Sequence, residues 1–274
     1  MNQYLDIARE ILENGHRKSD PQGVGNRALC SPGPIRIDLE KDGFPLLTTK
    51  DMSKQWKPLI CELLWFLSGS TNVADLHKYN IHIWDMWATP EICSSLGLPA
   101  GELGPIYGKQ WRFFGRNGID QISRLINNLK KNPDTRRNEI TSWNPEDIDK
   151  VFVAPCHDNF KVFHAEGMLW LRQDQRSCDL PIGAPFNIAQ YALLLMMLAQ
   201  VTGLKAKGLI YAPFDCHIYE NQINAMKLQI SREPKALPRV KLNPDVKDIF
   251  NFRPDDFILE NYDPHPGIKF PVAL

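Results

Sequence analysis

Two hydrophobic periodicities alternating along one unbroken chain predict an α+β protein. Some segments space their apolar residues as a helix does, others alternate them as a half-buried strand does, and no internal repeat, low-complexity tract or linker divides residues 1–274, which read as a single domain. Residues 3–14 carry Tyr4, Leu5, Ile7, Ala8, Ile11 and Leu12 at helical spacing and stop near Asn14-Gly15, which predicts an amphipathic opening helix. The Gly- and Pro-rich, largely polar stretch from Asp20 to Gly33 reads as a loop. It feeds Ile35-Arg36-Ile37-Asp38-Leu39, whose alternation predicts a strand. Leu59 to Ser68 is apolar around one carboxylate, Glu62, and its leucine content favours helix. A carboxylate in such a segment needs a partner or a chemical task. Ile119, Ile122, Leu125, Ile126 and Leu129 predict a further helix, ended by Asn132-Pro133-Asp134, with Arg136 and Arg137 in the loop beyond. Runs around 159–164 and 168–173, separated by Ala165-Glu166-Gly167, predict a hairpin, and residues 187–202 form the most apolar helix, expected at the centre of the core.

Composition narrows the function classes. Lysine plus arginine and aspartate plus glutamate each total 32, so no global basic field exists to hold nucleic acid or an anionic membrane, and anion binding must be local. The N-terminal residues lack the basic-then-apolar pattern of a secretory signal, and the longest apolar stretch, around Ala192–Val201, reads as too short to span a bilayer; a cytoplasmic protein is expected. Six cysteines without CxxC spacing argue against a zinc knuckle or a disulfide framework, and no metal is expected.

Cys156 lies in Val153-Ala154-Pro155-Cys156-His157, where a proline fixes the approach and a histidine follows, a setting that can present a reactive thiolate. Alone the signal is weak, because an isolated cysteine is most often a buried small hydrophobe.

The surrounding strings carry more. Pro155-Cys156-His157 resembles the nucleophile motif of thymidylate synthases, and Gln175-Arg176-Ser177-Cys178-Asp179 followed by Gly183-Ala184-Pro185-Phe186-Asn187-Ile188 resembles their nucleotide-binding signature. The likeness runs in family order through Asp42-Gly43-Phe44-Pro45-Leu46-Leu47-Thr48-Thr49-Lys50, Glu62-Leu63-Leu64-Trp65-Phe66-Leu67, Ile83-Trp84-Asp85-Met86-Trp87-Ala88, Tyr107-Gly108-Lys109-Gln110-Trp111-Arg112, His217-Ile218-Tyr219 and Tyr262-Asp263-Pro264-His265-Pro266-Gly267. The resemblance implies a three-layer α+β sandwich whose mixed sheet packs on its symmetry mate in a homodimer.

It also implies a chemistry. Cys156 would add to C6 of a pyrimidine nucleotide, making C5 an enolate carbon able to attack the one-carbon unit of methylenetetrahydrofolate, the cosubstrate. Glu62 would move protons through ordered water, Tyr107 would help remove the C5 proton, and Asn187, with an amide donor and acceptor, would match the O4 and N3–H edge of uracil, making dUMP the expected nucleotide. Gln175, His157 and the pair His217 and Tyr219 would line the nucleotide, the pair at the sugar hydroxyl; Arg176, Ser177 and, from the neighbouring subunit, Arg136 and Arg137 would hold the phosphate. Trp84, Trp87, Lys50, Asp179 and the C-terminal tail with Ala273 would line the folate.

Three departures bear on this. Pro21, in Asp20-Pro21-Gln22-Gly23-Val24-Gly25, stands where the family carries a phosphate-binding arginine, with Arg27 and Lys18 the nearby substitutes; Asp51 replaces a cation expected near the folate tail; and Pro213-Phe214-Asp215 replaces Gly-Gly-Asp. Relatives of this family let water capture the exocyclic methylene and release a hydroxymethyl nucleotide, which makes dUMP hydroxymethylation the alternative; the intact Trp84-Asp85-Met86-Trp87 cluster and Asn187 favour methylation. A slow homologue kept for binding RNA or a protein partner is disfavoured by neutral charge and by Cys156, Glu62 and Asn187 standing together.

Overall fold

A computed structural model describes residues 1–273. The opening helix α1 (Asn2–Asn14) turns Tyr4, Leu5, Ile7, Ala8 and Ile11 inward, as its spacing predicts. Strands β1 (His16–Lys18), β2 (Asn26–Cys30) and β3 (Ile35–Asp38) follow. The loop expected between Asp20 and Gly33 is therefore corrected: β2 lies inside it and β1 before it. Neither strand announces itself locally, since His16-Arg17-Lys18 is wholly exposed and Asn26–Cys30 mixes polar and small residues; both are strands because β2 pairs with a long central strand and β1 pairs with β2.

Helix α2 (Ser53–Ser68) starts before the apolar run that predicted it and passes through Pro58. Short helices α3 (Ala74–His77), α4 (Pro90–Ser95) and α5 (Tyr107–Arg112) precede α6 (Gln121–Lys131), whose N-cap Asp120 accepts a hydrogen bond from the Ser123 N–H at 2.9 Å. Ile119 falls outside α6 and is exposed; Ile122, Leu125 and Leu129 form its buried stripe. Then come β4 (Glu139–Thr141), β5 (His157–Ala165) and β6 (Met168–Asp179), the last two joined through Glu166 (φ 52°) and Gly167 (φ 76°), a two-residue turn of the left-handed kind that matches strand twist. Helix α7 (Gly183–Thr202) connects β6 to the parallel strand β7 (Lys205–Tyr219), and α8 (Ile223–Ile230), β8 (Arg239–Leu242) and β9 (Phe257–Glu260) complete the chain.

The main sheet runs β1-β2-β7-β6-β5-β4, with β3 on β7 beside β2; only β6 and β7 are parallel. Helix α7 packs on one face of this open mixed sheet, and α2 packs on α7 with α5 alongside, so that layers of strand and helix enclose the core. At 20 residues α7 is long and apolar enough to cross a bilayer, contrary to the shorter stretch read from the sequence, yet it is sheathed by protein on nearly all sides. The opposite face of the sheet has no cover among the described residues. It carries Phe163 and Phe214, 62% and 56% exposed, and Trp170 with Arg36 stacked over its ring at 4.0 Å.

Candidate active site

Cys156 immediately precedes β5, where a bulge at Asp158 breaks the register with β6. Its own N–H donates to the Tyr107 hydroxyl at 2.8 Å, and its carbonyl accepts the Arg176 N–H at 2.8 Å, so the backbone is held from both sides. The Arg176 guanidinium folds back on the same loop, donating from Nε to the Pro155 carbonyl at 3.2 Å and from Nη2 to the Ala154 carbonyl at 3.4 Å, with its Cζ 5.1 Å from the centre of the Trp143 ring. The thiol is left with a contact to the Ala154 carbonyl at 3.8 Å. Burial pushes its pKa up, and the Arg176 charge pulls the other way.

His157 points away from solvent. Its ring stacks on Tyr107 (centroids 4.0 Å apart), Nδ1 meets the Tyr191 hydroxyl at 2.8 Å, and burial lowers its pKa to about 3, so it is neutral and packs against the tyrosine that holds the Cys156 N–H. Tyr107 also packs against Trp84, at 6.3 Å between centroids. Trp84 in turn donates from Nε1 to Glu62 at 2.5 Å, while Gln190 on α7 donates to the other carboxylate oxygen at 2.6 Å. Burial raises the Glu62 carboxyl to about 7 despite these two donors, which makes it a group that exchanges protons near neutrality. The partner that its apolar segment demands is thus Gln190. Sequence reading passes over that residue, although Asn187 and Gln190 are polar at helical spacing in an otherwise apolar helix.

At the start of α7, Asn187 Oδ1 accepts from Gln175 Nε2 at 3.0 Å, and the same Nε2 donates to the Ser177 carbonyl at 3.0 Å. This fixes the Asn187 amide with its NH₂ as the free donor. Asp179 and His217 sit side by side on β6 and β7, and His217 meets Tyr219 edge to face at 5.1 Å, the same-side placement their spacing predicts. Burial raises the Asp179 carboxyl. Lys50 donates to the Pro181 carbonyl at 2.6 Å, covers the Phe270 ring at 4.6 Å, and is lowered to about 8 by burial, with Asp179 opposing. Trp87 lies 5.3 Å from Trp84. The tail approaches this end of the sheet, since Gln222 donates to the Pro271 carbonyl at 3.0 Å; Ala273 is half-buried, and Leu274 lies outside the described residues.

The arginines divide. Arg176 and Ser177 belong to the Cys156 cluster, whereas Arg136 and Arg137 are exposed, Arg137 lining a separate cleft of about 350 Å³ with Phe114, Arg124 and Glu139. Both substitutes for the arginine absent at Pro21 are engaged within the chain: Lys18 pairs with Asp215, and Arg27 donates to the Leu12 carbonyl at 3.1 Å and meets Glu220 at 3.4 Å. The Pro21 loop is held by Asp20, whose carboxylate accepts from the N–H groups of Gln22 and Gly25. A family model described as thymidylate synthase matches residues 2–274.

Proposed function

This chain belongs to the thymidylate synthase family, whose members transfer one carbon from methylenetetrahydrofolate to dUMP, and we propose that it carries out the reductive methylation that yields dTMP and dihydrofolate. One-carbon transfer from a Cys156 adduct is supported by the continuity from nucleophile to proton carrier: Tyr107 binds the Cys156 backbone and packs on Trp84, which holds a Glu62 carboxyl raised to about 7. What favours methylation over hydroxymethylation is the Trp84–Trp87 pair beside that relay, together with Asn187.

In this reading Cys156 loses its proton and adds through sulfur to C6 of dUMP, placing the electron pair at C5. Arg176 favours that thiolate, since its guanidinium is the cation acting on the thiol. The folate supplies first the methylene carbon and then the hydride. Asn187 donates its free amide hydrogen to O4, where enolate charge develops, an interaction that strengthens as the adduct forms. Glu62, poised between protonation states, passes protons to and from the base through water, and Tyr107 assists loss of the C5 proton. Expulsion of the Cys156 sulfur regenerates the thiol.

For the folate, Trp84 and Trp87 offer aromatic faces, and Asp179 offers a buried acceptor to the N–H edge of a pterin, with Lys50 beside it and the tail of Ala273 nearby. The open face of the sheet, with Phe163, Trp170 and Phe214, is the surface on which a second copy would pack, bringing Arg136 and Arg137 to the neighbour's phosphate.

The test is the product pair. Incubation with dUMP and methylenetetrahydrofolate is expected to give dTMP and dihydrofolate in equal amounts, followed by absorbance and by mass of the nucleotide. Hydroxymethyl-dUMP without dihydrofolate would replace this reading by the hydroxymethylase.

A further inference from the structure

Away from Cys156, two histidines and an aspartate that are not contiguous in sequence converge at the surface. His77 closes α3, His82 follows in the next loop, and Asp85 opens the turn that Trp84 caps and Trp87 ends. His77 Nε2 lies 2.7 Å from Asp85 Oδ1, and His82 Nδ1 lies 2.7 Å from Oδ2 of the same carboxylate. One potential ligand atom from each of the three side chains lies within 4.8 Å of the others. Asn80, in the left-handed region at φ 59°, reverses the chain between the two histidines and brings their rings to 4.6 Å.

His82 Nε2, on the far side of its ring, lies 3.3 Å from the Asn80 side-chain oxygen. An oxygen in that place can orient a histidine whose other nitrogen binds a metal, as the outer-shell partners of metal-bound histidines do.

We infer that His77, His82 and Asp85 form a binding site for a divalent transition-metal ion of the zinc class, with water completing the coordination. Two imidazoles and one carboxylate suit that class, and ligand atoms around a tetrahedral zinc stand roughly 3.3 Å apart, so the hydrogen-bonded cluster has only to open slightly. Because Asp85 adjoins Trp84, an ion there would tie the end of α3 to the turn bearing both tryptophans.

Zinc is to be titrated calorimetrically into the 274-residue chain carrying Cys30→Ser and Cys156→Ser, which removes the two thiols that are not buried. One ion per chain is expected, with a change in tryptophan emission. His77→Gln and His82→Gln are each expected to weaken binding at least about tenfold, and Asn80→Ala to weaken it by about tenfold without changing stoichiometry. The two histidine side chains are 40% and 55% exposed, so these variants should fold, and melting without metal checks that. No binding, or unchanged affinity in the histidine variants, would overturn the site and show that protons alone hold the cluster.

Discussion

At the scale of single residues, Glu62 makes the sharpest demand. Its carboxyl, raised to about 7 from an ordinary 4.5, binds more protons folded than unfolded between those values. Stability therefore falls as pH rises through that window, by up to roughly 3 kcal/mol. Glu62→Gln is expected to lose turnover by about 10²-fold or more while melting at least as high as wild type at pH 8, a difference that closes below pH 5; thermal melts at both pH values and a dihydrofolate assay check it. The wild-type rate should carry a limb near pH 7 that Glu62→Gln abolishes. Asn187 is the second case. With Gln175 occupying its oxygen, Asn187→Asp keeps that bond but turns a donor into an acceptor toward the base, so preference should move from dUMP to dCMP, read as the ratio of kcat/KM for the two nucleotides.

At the scale of elements, the close pairing of β3, β6 and β7 depends on Gly208. A Cβ there would stand 2.4 Å from the Ile37 carbonyl and 2.4 Å from the Trp170 ring, both fixed by strand pairing. Gly208→Ala is expected to destabilise by about 1–3 kcal/mol, seen as a lowered midpoint in urea, without changing the reaction product. The loop ahead of β5 is likewise shaped by a neighbour. Arg176 on β6 holds the carbonyls of Ala154 and Pro155, so Arg176→Lys, which keeps the charge but loses the forked geometry, should cost activity through the loop as well as through phosphate affinity. A rise in KM together with a fall in kcat is the expected signature.

At the scale of the whole molecule, Arg136 and Arg137 are exposed, Arg137 lining a cleft away from the Cys156 cluster, and the sheet face that carries Phe163, Trp170 and Phe214 among charged residues is open. If a second copy covers that face and lends its arginines, mixing an inactive Cys156→Ser chain with an inactive Arg136→Ala/Arg137→Ala chain should restore roughly a quarter of wild-type activity, because half the dimers are mixed and each has one complete site. No recovery after confirmed subunit exchange would place the arginines in their own chain's site.

What the sequence determined alone is what short-range pattern and chemistry carry. Helical spacing marked α1 and α6 and alternation marked β3, because periodicity records which face of an element is apolar; continuous apolarity marked α7, and a turn pair marked the β5–β6 hairpin. The strings around Cys156 and Asn187 likewise carried the family and, with it, the reaction class. Tertiary structure decided the rest. Strands β1 and β2 exist because β2 found β7, a partner far along the chain that no local pattern names. It is burial among α2, α7 and the Trp84 turn that raises the Glu62 carboxyl, and burial that keeps His157 neutral. The meeting of His77 and His82 on Asp85 comes from a chain reversal at Asn80. Desolvation and side-chain convergence are properties of packed neighbours, and neighbours distant in sequence are set only when the chain has folded.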